Sequence, residues 1–361
     1  MQQLPRKMTL PLNGSVFDGI RSRAAAADRG EISLKTDLQS LHDAGLLAEV
    51  VRATSVGGNT GQGIAILSRI GRESLAVGRI VEGHCNALRL IQLYGSTNQW
   101  RRADDMAAQG HIFGVWGAEG KSPVAIANRT GADVELRGDK QFCSGLGLLS
   151  FAVLPVQTDD GSLLVLADVQ DQSRADPGTW QVSGMRATAS GRYTVTGLHA
   201  EVLGKPGDYL REPHFEGGIW RYCAVHSGGL DALVDEVRSH ILKRGQENDP
   251  FQRQRLAQLA IQSRTAQLWV KASSLAVESG DNVASSVAQV LLAREAIETA
   301  CVTGIALAER CLGTSAFSMM GDADRIRRDL AFFLRQANLD GKLDKAADWI
   351  LDAAASTGDM W

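Results

Sequence analysis

One stretch decides the fold of this chain: Val134-Glu135-Leu136-Arg137-Gly138-Asp139-Lys140-Gln141-Phe142, which runs into the turn Cys143-Ser144-Gly145. Polar and apolar residues alternate along it, as in a half-buried β-strand. An apolar run of strand length follows at 148–156, and Asp159-Asp160-Gly161 then predicts a hairpin turn into a returning strand at 162–167. Two more strands are predicted at 192–196 and 200–203. The pattern favours an antiparallel sheet within residues 111–212.

Both flanks of this sheet show helical spacing instead. We predict helices over 15–27, 34–49, 64–81, 85–93 and 97–108, and then over 220–243, 251–278, 283–311, 324–336 and 343–355. Asp249 and Pro250 are a typical helix start, and Gly228-Gly229 is a candidate point of close helix packing. The predicted fold class is α+β, with an N-terminal helical domain (1–110), a central antiparallel β-domain (111–212) and a C-terminal four-helix bundle (213–361). A ligand site is expected where the three parts meet.

Composition excludes several classes of function. The chain has 361 residues, 44% of them hydrophobic, which is enough for two or three packed units. A net charge of −3 gives no indication of a nucleic-acid or membrane-surface partner. The five cysteines form no C-x-x-C pair, and no spacing of His, Asp and Glu suggests a metal site. Residues 1–7 lack the apolar run of a signal peptide, and no segment is apolar enough to span a membrane, so a cytoplasmic protein is expected.

Two glycine-containing segments resemble nucleotide-binding motifs but do not complete them. Gly61-Gln62-Gly63 lacks the third glycine and a preceding strand of a dinucleotide-binding loop. Gly120-Lys121-Ser122 ends like a phosphate-binding loop, yet Val115 stands where that loop needs glycine, and Pro123 follows. We therefore interpret both segments as connecting loops.

Several motifs, taken in order, carry a resemblance to a known family. They are Gly57-Gly58 before a helix, Phe113-Gly114-Val115-Trp116-Gly117-Ala118-Glu119, Gly138-Asp139-Lys140-Gln141-Phe142-Cys143-Ser144-Gly145, Gly184-Met185-Arg186-Ala187-Thr188-Ala189-Ser190-Gly191, Leu312-Gly313, and Arg325-Ile326-Arg327-Arg328-Asp329. With the order of helices, sheet and bundle, the chain resembles the acyl-CoA dehydrogenase superfamily of flavoproteins over essentially its whole length. The helix start Asp249-Pro250-Phe251-Gln252 is more similar to the monooxygenase-like branch than to typical dehydrogenases.

The resemblance implies FAD between the sheet and the bundle. It places Phe142 beside the isoalloxazine ring, the Ser144 hydroxyl near N5, and backbone groups of Trp116 and Gly117 on the ring. It also implies a homodimer or tetramer in which bundle arginines, here Arg244 and Arg310, reach the phosphates of the cofactor. The alternatives are a core position for Phe142, a turn position for Ser144, and for Arg244 a charge at a helix end that complements the helix dipole.

The chain departs from the family at the catalytic base. The glutamate that removes the substrate α-proton in family dehydrogenases is matched by Ala337, or by Gln336 with a shift of one residue, and neither accepts a proton. A second family position for the base falls at 218–220, which has no carboxylate, although Glu216 is close in sequence. His226 is the remaining acid–base candidate, and its alternative is a hydrogen-bonded packing histidine. We expect no dehydrogenation of ordinary fatty acyl-CoA.

Three functions remain open at this point. The first is an FAD-dependent oxidoreductase that acts on a small or carrier-bound substrate. The second is a monooxygenase that receives reduced flavin and needs no carboxylate base. The third is a non-catalytic scaffold with the same fold that binds a partner.

Overall fold

A computed structural model describes residues 14–319, 321–356 and 359–360. Residues 1–13, which include the segment expected to lack a signal peptide, lie outside the described part. The first helices are α1 (Ser15–Asp28), α2 (Lys35–Asp43), α3 (Leu46–Thr54), α4 (Thr60–Glu73), α5 (Leu75–Tyr94) and α6 (Thr97–Ala108).

Two helix predictions in this block had wrong boundaries. The predicted helix 34–49 is interrupted by Gly45, whose φ of 71° is left-handed and ends one helix before the next begins. The predicted helix 64–81 is interrupted at Ser74, which has extended backbone and caps α5 by accepting a hydrogen bond from the Val77 N–H. Residues 75–81 continue without a break through the predicted helix 85–93, and together they form the single long helix α5.

The strands are β1 (Phe113–Val115), β2 (Ala125–Thr130), β3 (Asp133–Arg137), β4 (Asp139–Lys140), β5 (Phe151–Thr158), β6 (Gly161–Asp168), β7 (Ala175–Asp176), β8 (Arg192–Thr194) and β9 (Leu198–Leu203). They form a six-stranded sheet in the order β1-β5-β6-β9-β3-β2 and a three-stranded sheet in the order β4-β8-β7. The hairpin predicted at Asp159-Asp160-Gly161 is confirmed, since Thr158 pairs with Gly161 across it.

The expectation of a purely antiparallel sheet was wrong for one strand. β1 pairs in parallel with β5, with Phe113 opposite Phe151 and Val115 opposite Val153. The chain between these two strands is long enough for the crossover that a parallel pair requires, because β2, β3 and β4 lie within it. Period-2 patterning shows that a segment is a strand, but it does not show its direction.

The last helices are α7 (Ile219–Lys243), α8 (Pro250–Ser279), α9 (Val283–Leu312), α10 (Asp322–Phe333) and α11 (Leu339–Asp352). The predicted start of α8 is confirmed, because the Asp249 carboxylate accepts hydrogen bonds from the backbone N–H groups of Phe251 and Gln252. No helix in the described part of the chain has the length and apolar character needed to cross a membrane.

Close packing of α7 against α4 joins the C-terminal helices to the N-terminal ones. The predicted close contact at Gly228 is confirmed, since a Cβ added there would lie 2.0 Å from the Ser68 carbonyl oxygen. On the facing helix, a Cβ added at Gly71 would lie 2.4 Å from the Val225 oxygen. The Ser68 hydroxyl donates to the Ala224 carbonyl oxygen at 2.9 Å in the same contact. These two glycines fix the position of α7, and α7 forms one wall of the site described next.

Candidate functional site

Strained backbone marks one surface of the β-region. Phe142 has a φ of 55°, a conformation that is unusual for a bulky residue, and its side chain is 61% exposed. Met185 and Ala189 also have positive φ, at 57° and 46°. Such strain costs about 1–3 kcal/mol per residue and persists where the surrounding structure imposes it, often at functional sites. The exposure of Phe142 is not that of a core residue.

Backbone hydrogen bonds bring these strained positions together. The Cys143 N–H donates to the Gly191 oxygen at 2.8 Å, and the Gly145 N–H donates to the Thr188 oxygen at 2.9 Å. The Ser190 hydroxyl donates to the Ser144 hydroxyl oxygen at 3.3 Å. The segments 142–145 and 185–191, two of the motifs singled out in the sequence, therefore form one surface, which we call the β patch together with Trp116.

Trp116 supports the β patch from below. Its indole N–H donates to the Ser144 carbonyl oxygen at 3.0 Å, and the side chain is 2% exposed. Its backbone N–H donates to the Val153 oxygen at 3.1 Å. The expected backbone contact from Trp116 to a ring is therefore not available through its N–H group. Gly117, the next residue, is exposed.

A row of aromatic rings extends the β patch toward the helices. The rings of Phe142 and Trp180 lie 6.3 Å apart between centroids, and those of Trp180 and Phe332 lie 5.4 Å apart, both in edge-to-face geometry. Phe332 lies on α10, so this row crosses from the strands to the C-terminal helices. It offers an apolar surface on which a flat ring system could stack.

A second feature, which we call the junction cavity, lies where α5, β1, α7 and the segment after α10 meet. Its volume is about 230 Å³. The lining residues are Asn86, Arg89, Leu90, Leu93, Val115, Tyr209, His214, Phe215, Glu216, Gly218, Ile219, Arg221, Tyr222, Gln336, Ala337 and Lys342. Val115 belongs to β1 and directly precedes Trp116, so the cavity adjoins the β patch.

Buried charges lie along one side of the junction cavity. Arg89 donates to the Glu278 carboxylate at 2.8 Å and to the Thr54 carbonyl oxygen at 2.8 Å. The Trp220 indole N–H donates to the other Glu278 oxygen at 3.1 Å. Arg221 donates through Nε to the Asn86 amide oxygen, whereas its Nη1 lies 3.9 Å from Glu278, beyond hydrogen-bonding distance.

Burial leaves the Arg221 charge poorly compensated. The side chain is 4% exposed, and burial, together with the repulsion from Arg89, lowers the pKa of its guanidinium to about 10. Arg221 remains charged at neutral pH. One carboxylate, that of Glu278, is thus shared between two arginines.

Several buried polar atoms of the lining residues have no partner within the described chain. They include the Nδ1 of His214 and the hydroxyl of Tyr222. Burial lowers the pKa of His214, and the neighbouring Arg89 adds to that shift, so the imidazole is neutral at physiological pH. Buried polar groups are normally hydrogen-bonded, so unpartnered ones that face a cavity indicate a place for a bound molecule.

The position expected for a catalytic base is part of this cavity. Gln336 and Ala337 both line it, and the Gln336 amide donates to the Phe333 carbonyl oxygen at 2.7 Å. Among the described lining residues Glu216 carries the one carboxylate, and the Lys342 ammonium binds it at 2.6 Å. Neither Gln336 nor Ala337 carries a group that accepts a proton at neutral pH, and the Glu216 carboxylate is held in an ion pair.

His226 lies outside the lining of this cavity. Its ring packs edge-to-face on Phe333 at 4.5 Å and against Tyr222 at 5.3 Å. Burial and nearby Arg294 lower the pKa of His226 to about 3, and its Nε2 has no partner in the described chain. The geometry agrees with the alternative of a packing histidine, and an acid–base role for His226 stays a prediction.

Arg244 and Arg310 are not brought to the β patch within one chain. Arg244 is the exposed C-cap of α7, and Arg310 is exposed near the end of α9. Glu119, the carboxylate of the motif 113–119, accepts hydrogen bonds from the buried Lys140 ammonium at 2.5 Å and from the Val124 N–H at 2.8 Å, so its contacts are structural. Among the described residues, no group of three or more His, Cys, Asp or Glu is arranged to hold a metal ion.

One local pattern in the sequence indicates the polar side of the junction cavity. Glu82, Asn86 and Arg89 recur at four- and three-residue spacing, which places them on one face of a helix whose other faces are apolar. The predicted break between 81 and 85 divided this helix and hid that polar face. His214 and Lys342 come from separate segments, and no local pattern connects them.

Comparison with known proteins identifies the fold. No family model and no curated protein matches this chain. Among solved structures, dibenzothiophene monooxygenase TdsC from Paenibacillus sp. A11-2 is 18% identical, with a TM-score of 0.77 over 98% of this chain and 99% of that chain. The same protein has been solved with FMN and indole.

Two further solved structures are similar over nearly the whole chain. KijD3, in complex with FMN and a dTDP-linked amino keto sugar, is 15% identical, with a TM-score of 0.77 over 96% of this chain and 93% of that chain. Butyryl-CoA dehydrogenase from Megasphaera elsdenii is 13% identical, with a TM-score of 0.74 over 94% and 99%. The chain therefore has the acyl-CoA dehydrogenase fold, and the resemblance stated from the motifs is confirmed at the level of the fold.

Proposed function

We propose that this protein is a flavin-dependent oxidoreductase whose isoalloxazine ring lies on the β patch. The observation that carries the proposal is the exposed, strained Phe142 beside the Ser144 hydroxyl, in a fold shared with proteins solved with FMN. Exposing a large aromatic ring on a strained backbone is unfavourable for the isolated chain, and a stacked ligand ring would cover it.

The residues present fit a flavin. Phe142 supplies a face for stacking, and the Ser144 hydroxyl supplies a hydrogen bond at the ring edge. The row from Phe142 through Trp180 to Phe332 supplies the apolar surroundings. A bound flavin would supply the two-electron redox chemistry of the proposed reaction. The junction cavity next to the patch holds the substrate.

Within this class, the geometry supports a monooxygenase best. In family dehydrogenases the α-proton is removed by a carboxylate, but Gln336 and Ala337 offer none at the position expected for it, and Lys342 occupies the Glu216 carboxylate. Oxygen transfer has no such requirement: the substrate, dioxygen and reduced flavin give the oxygenated substrate, water and oxidised flavin. TdsC, which has this fold, is itself described as a monooxygenase.

A direct test compares the two redox states of the cofactor. The purified protein is titrated anaerobically with FMN and FAD, each oxidised and then reduced, and binding is followed by absorbance and fluorescence. If the protein is a monooxygenase, it should bind reduced flavin more tightly than oxidised flavin. One atom of labelled dioxygen should also be incorporated into the product. A yellow protein that retains oxidised FAD through purification, and reacts without oxygen incorporation, would overturn it.

That contrary result would favour the second candidate, an FAD-dependent dehydrogenase or oxidase. The observation in its favour is the position of Glu216, whose carboxylate lines the cavity and would become a base if Lys342 moved away. A protein that binds no flavin in either redox state would instead be a scaffold. In the FAD case, Arg244 and Arg310 are the proposed phosphate ligands contributed by a neighbouring subunit.

The same proposal includes a homodimer or tetramer. Ile261, Leu268 and Leu275 recur every seven residues along α8 and are 60%, 51% and 51% exposed. This spacing places them on one face of the helix, and such an exposed apolar stripe typically lies in an interface. Light scattering at micromolar concentration should give a dimer or tetramer, whereas a stable monomer with flavin bound would contradict the assembly.

A further inference from the structure

The junction cavity has an excess of positive charge. The cations that line it are Arg89, Arg221 and Lys342, and the carboxylates that line it or lie within ion-pair distance of those cations are Glu216 and Glu278. Lys342 pairs with Glu216. Arg89 and Arg221 share Glu278, so among the described residues one positive charge has no carboxylate of its own.

That charge lies on Arg221. Its Nε donates to Asn86, which fixes the plane of the guanidinium, while Nη1 stays 3.9 Å from the nearest carboxylate oxygen. A guanidinium held in this way presents its terminal nitrogens as a preformed fork, and a planar carboxylate fits such a fork with two hydrogen bonds. An uncompensated buried charge is costly, so the cavity favours a bound anion.

Other lining groups complete a recognition site. The unpartnered Tyr222 hydroxyl and His214 Nδ1 can each form a hydrogen bond with a bound molecule. Part of the lining is apolar or aromatic, with Leu90, Leu93 and Phe215 among its members. The cavity therefore combines a buried guanidinium with apolar lining, within about 230 Å³.

We propose that the substrate is a compact molecule with an apolar or aromatic body and one carboxylate, which pairs with the Arg221 guanidinium. This inference rests on the proposed function, because it names the substrate class of that site. A single positive charge in excess matches a monoanion better than a dianionic phosphate ester. A long acyl-thioester has no carboxylate at its acyl end to pair with Arg221, and the volume of about 230 Å³ is small for its chain.

The test uses four matched probes on the purified protein, with and without added flavin: benzoate, benzamide, benzylamine and phenyl phosphate. Binding is measured by calorimetry and by the shift in unfolding temperature. Benzoate should bind about 10- to 100-fold more tightly than benzamide, the range expected for hydrogen bonds to a charged group. Benzylamine should not bind, and phenyl phosphate should bind more weakly than benzoate.

Two variants locate the preference. Arg221→Gln should remove the difference between benzoate and benzamide, whereas the control Arg72→Gln should keep it, because Arg72 pairs with Asp235 between α4 and α7 and does not line the cavity. If Arg221→Gln does not fold, the four probes with the unchanged protein decide. Any of three results overturns the proposal. These are equal affinity for benzoate and benzamide, no detectable binding of benzoate at concentrations up to about 10 mM, and a preference for phenyl phosphate over benzoate.

Failure of this inference and failure of the proposed function can be told apart. Benzoate binding needs no flavin, so a carboxylate preference in a protein that binds no flavin would retain the cavity assignment and remove the enzyme proposal. Flavin binding without a preference for a carboxylate would retain the enzyme proposal and remove the cavity assignment.

Discussion

Two buried polar clusters in this protein look similar but differ in how fully their groups are paired. The first, which we call the α10 anchor, joins Asp28 to Arg186 and Arg328 at 2.6 and 2.8 Å, and Arg328 further to Asp324 at 2.8 Å. The second is the charged side of the junction cavity, where no carboxylate of the described residues lies within hydrogen-bonding distance of Arg221. A cluster whose charges are all paired supports the fold, whereas one with unpaired groups at a cavity is prepared for a ligand.

The largest effect is expected in the α10 anchor. Asp28→Ala should leave two arginines without their shared carboxylate and destabilise the protein by about 3 kcal/mol. This value is at the lower end of the range for breaking a buried ion pair, because Arg186 is partly exposed. Urea unfolding measures this. The control Glu31→Ala removes an exposed ion pair with Arg29 and should leave the midpoint unchanged. An equally small effect for Asp28→Ala would remove the distinction between the two clusters.

A pH-dependent effect is expected for Asp329, which accepts the Met185 N–H at 2.6 Å. Burial raises the pKa of this carboxyl to about 6, above its unfolded value of 3.8. Its contribution to stability is therefore present below about pH 3.8 and is lost as the pH rises through 6. Asp329→Asn should gain stability relative to the unchanged protein between pH 4 and 7, by up to about 3 kcal/mol. A difference that stays constant over this range would show that Asp329 does not titrate there.

A smaller effect sharpens the comparison at the cavity. Tyr222→Phe removes a hydroxyl that has no hydrogen-bond partner in the described part of the chain, so the free energy of unfolding should change by less than about 0.5 kcal/mol. The same variant should weaken benzoate binding about 2- to 10-fold. The control is Tyr193→Phe, which loses a hydrogen bond to the Asp171 oxygen and should cost about 1 kcal/mol. Strong destabilisation by Tyr222→Phe would mean that the cavity cluster is structural.

The smallest expected effect is at Ser144. Ser144→Ala should weaken flavin binding about 2- to 10-fold, since one hydrogen bond at the ring edge contributes about 0.5–1.5 kcal/mol. Ser150→Ala is the control, because that hydroxyl forms a hydrogen bond with His111 and is not part of the β patch. Flavin titration by fluorescence distinguishes them, and equal affinities would remove Ser144 from the site.

The sequence predicted the β patch better than the cavity, for a physical reason. Phe142 and Ser144 are two residues apart in one strand-and-turn motif, so their proximity follows from local geometry. The cavity takes residues from segments as distant as Asn86 and Lys342, and only the tertiary packing brings them together. The strand β1 was not among the predicted strands, and its parallel pairing with β5 depends on the whole connection between them.

The burial of His226 also could not be predicted from its neighbours. A histidine on an amphipathic helix faces either a ligand or the core, depending on how the next helix packs. Here the packing of Phe333 from α10 decides the outcome and keeps the imidazole neutral. The sequence pattern predicts the helix that carries His226 and its close glycine contact. It does not predict the contact with Phe333, which lies about a hundred positions further along the chain.

The central claim is that the β patch holds a flavin ring, and one measurement tests it most directly. The unchanged protein, Phe142→Ala, and the control Phe317→Ala, which removes another exposed phenylalanine, are titrated with oxidised and reduced FMN and FAD. We predict that the unchanged protein and the control bind flavin with the same affinity and spectrum, and that Phe142→Ala weakens binding about tenfold or more. Unchanged flavin affinity and spectrum in Phe142→Ala would contradict the placement of the ring.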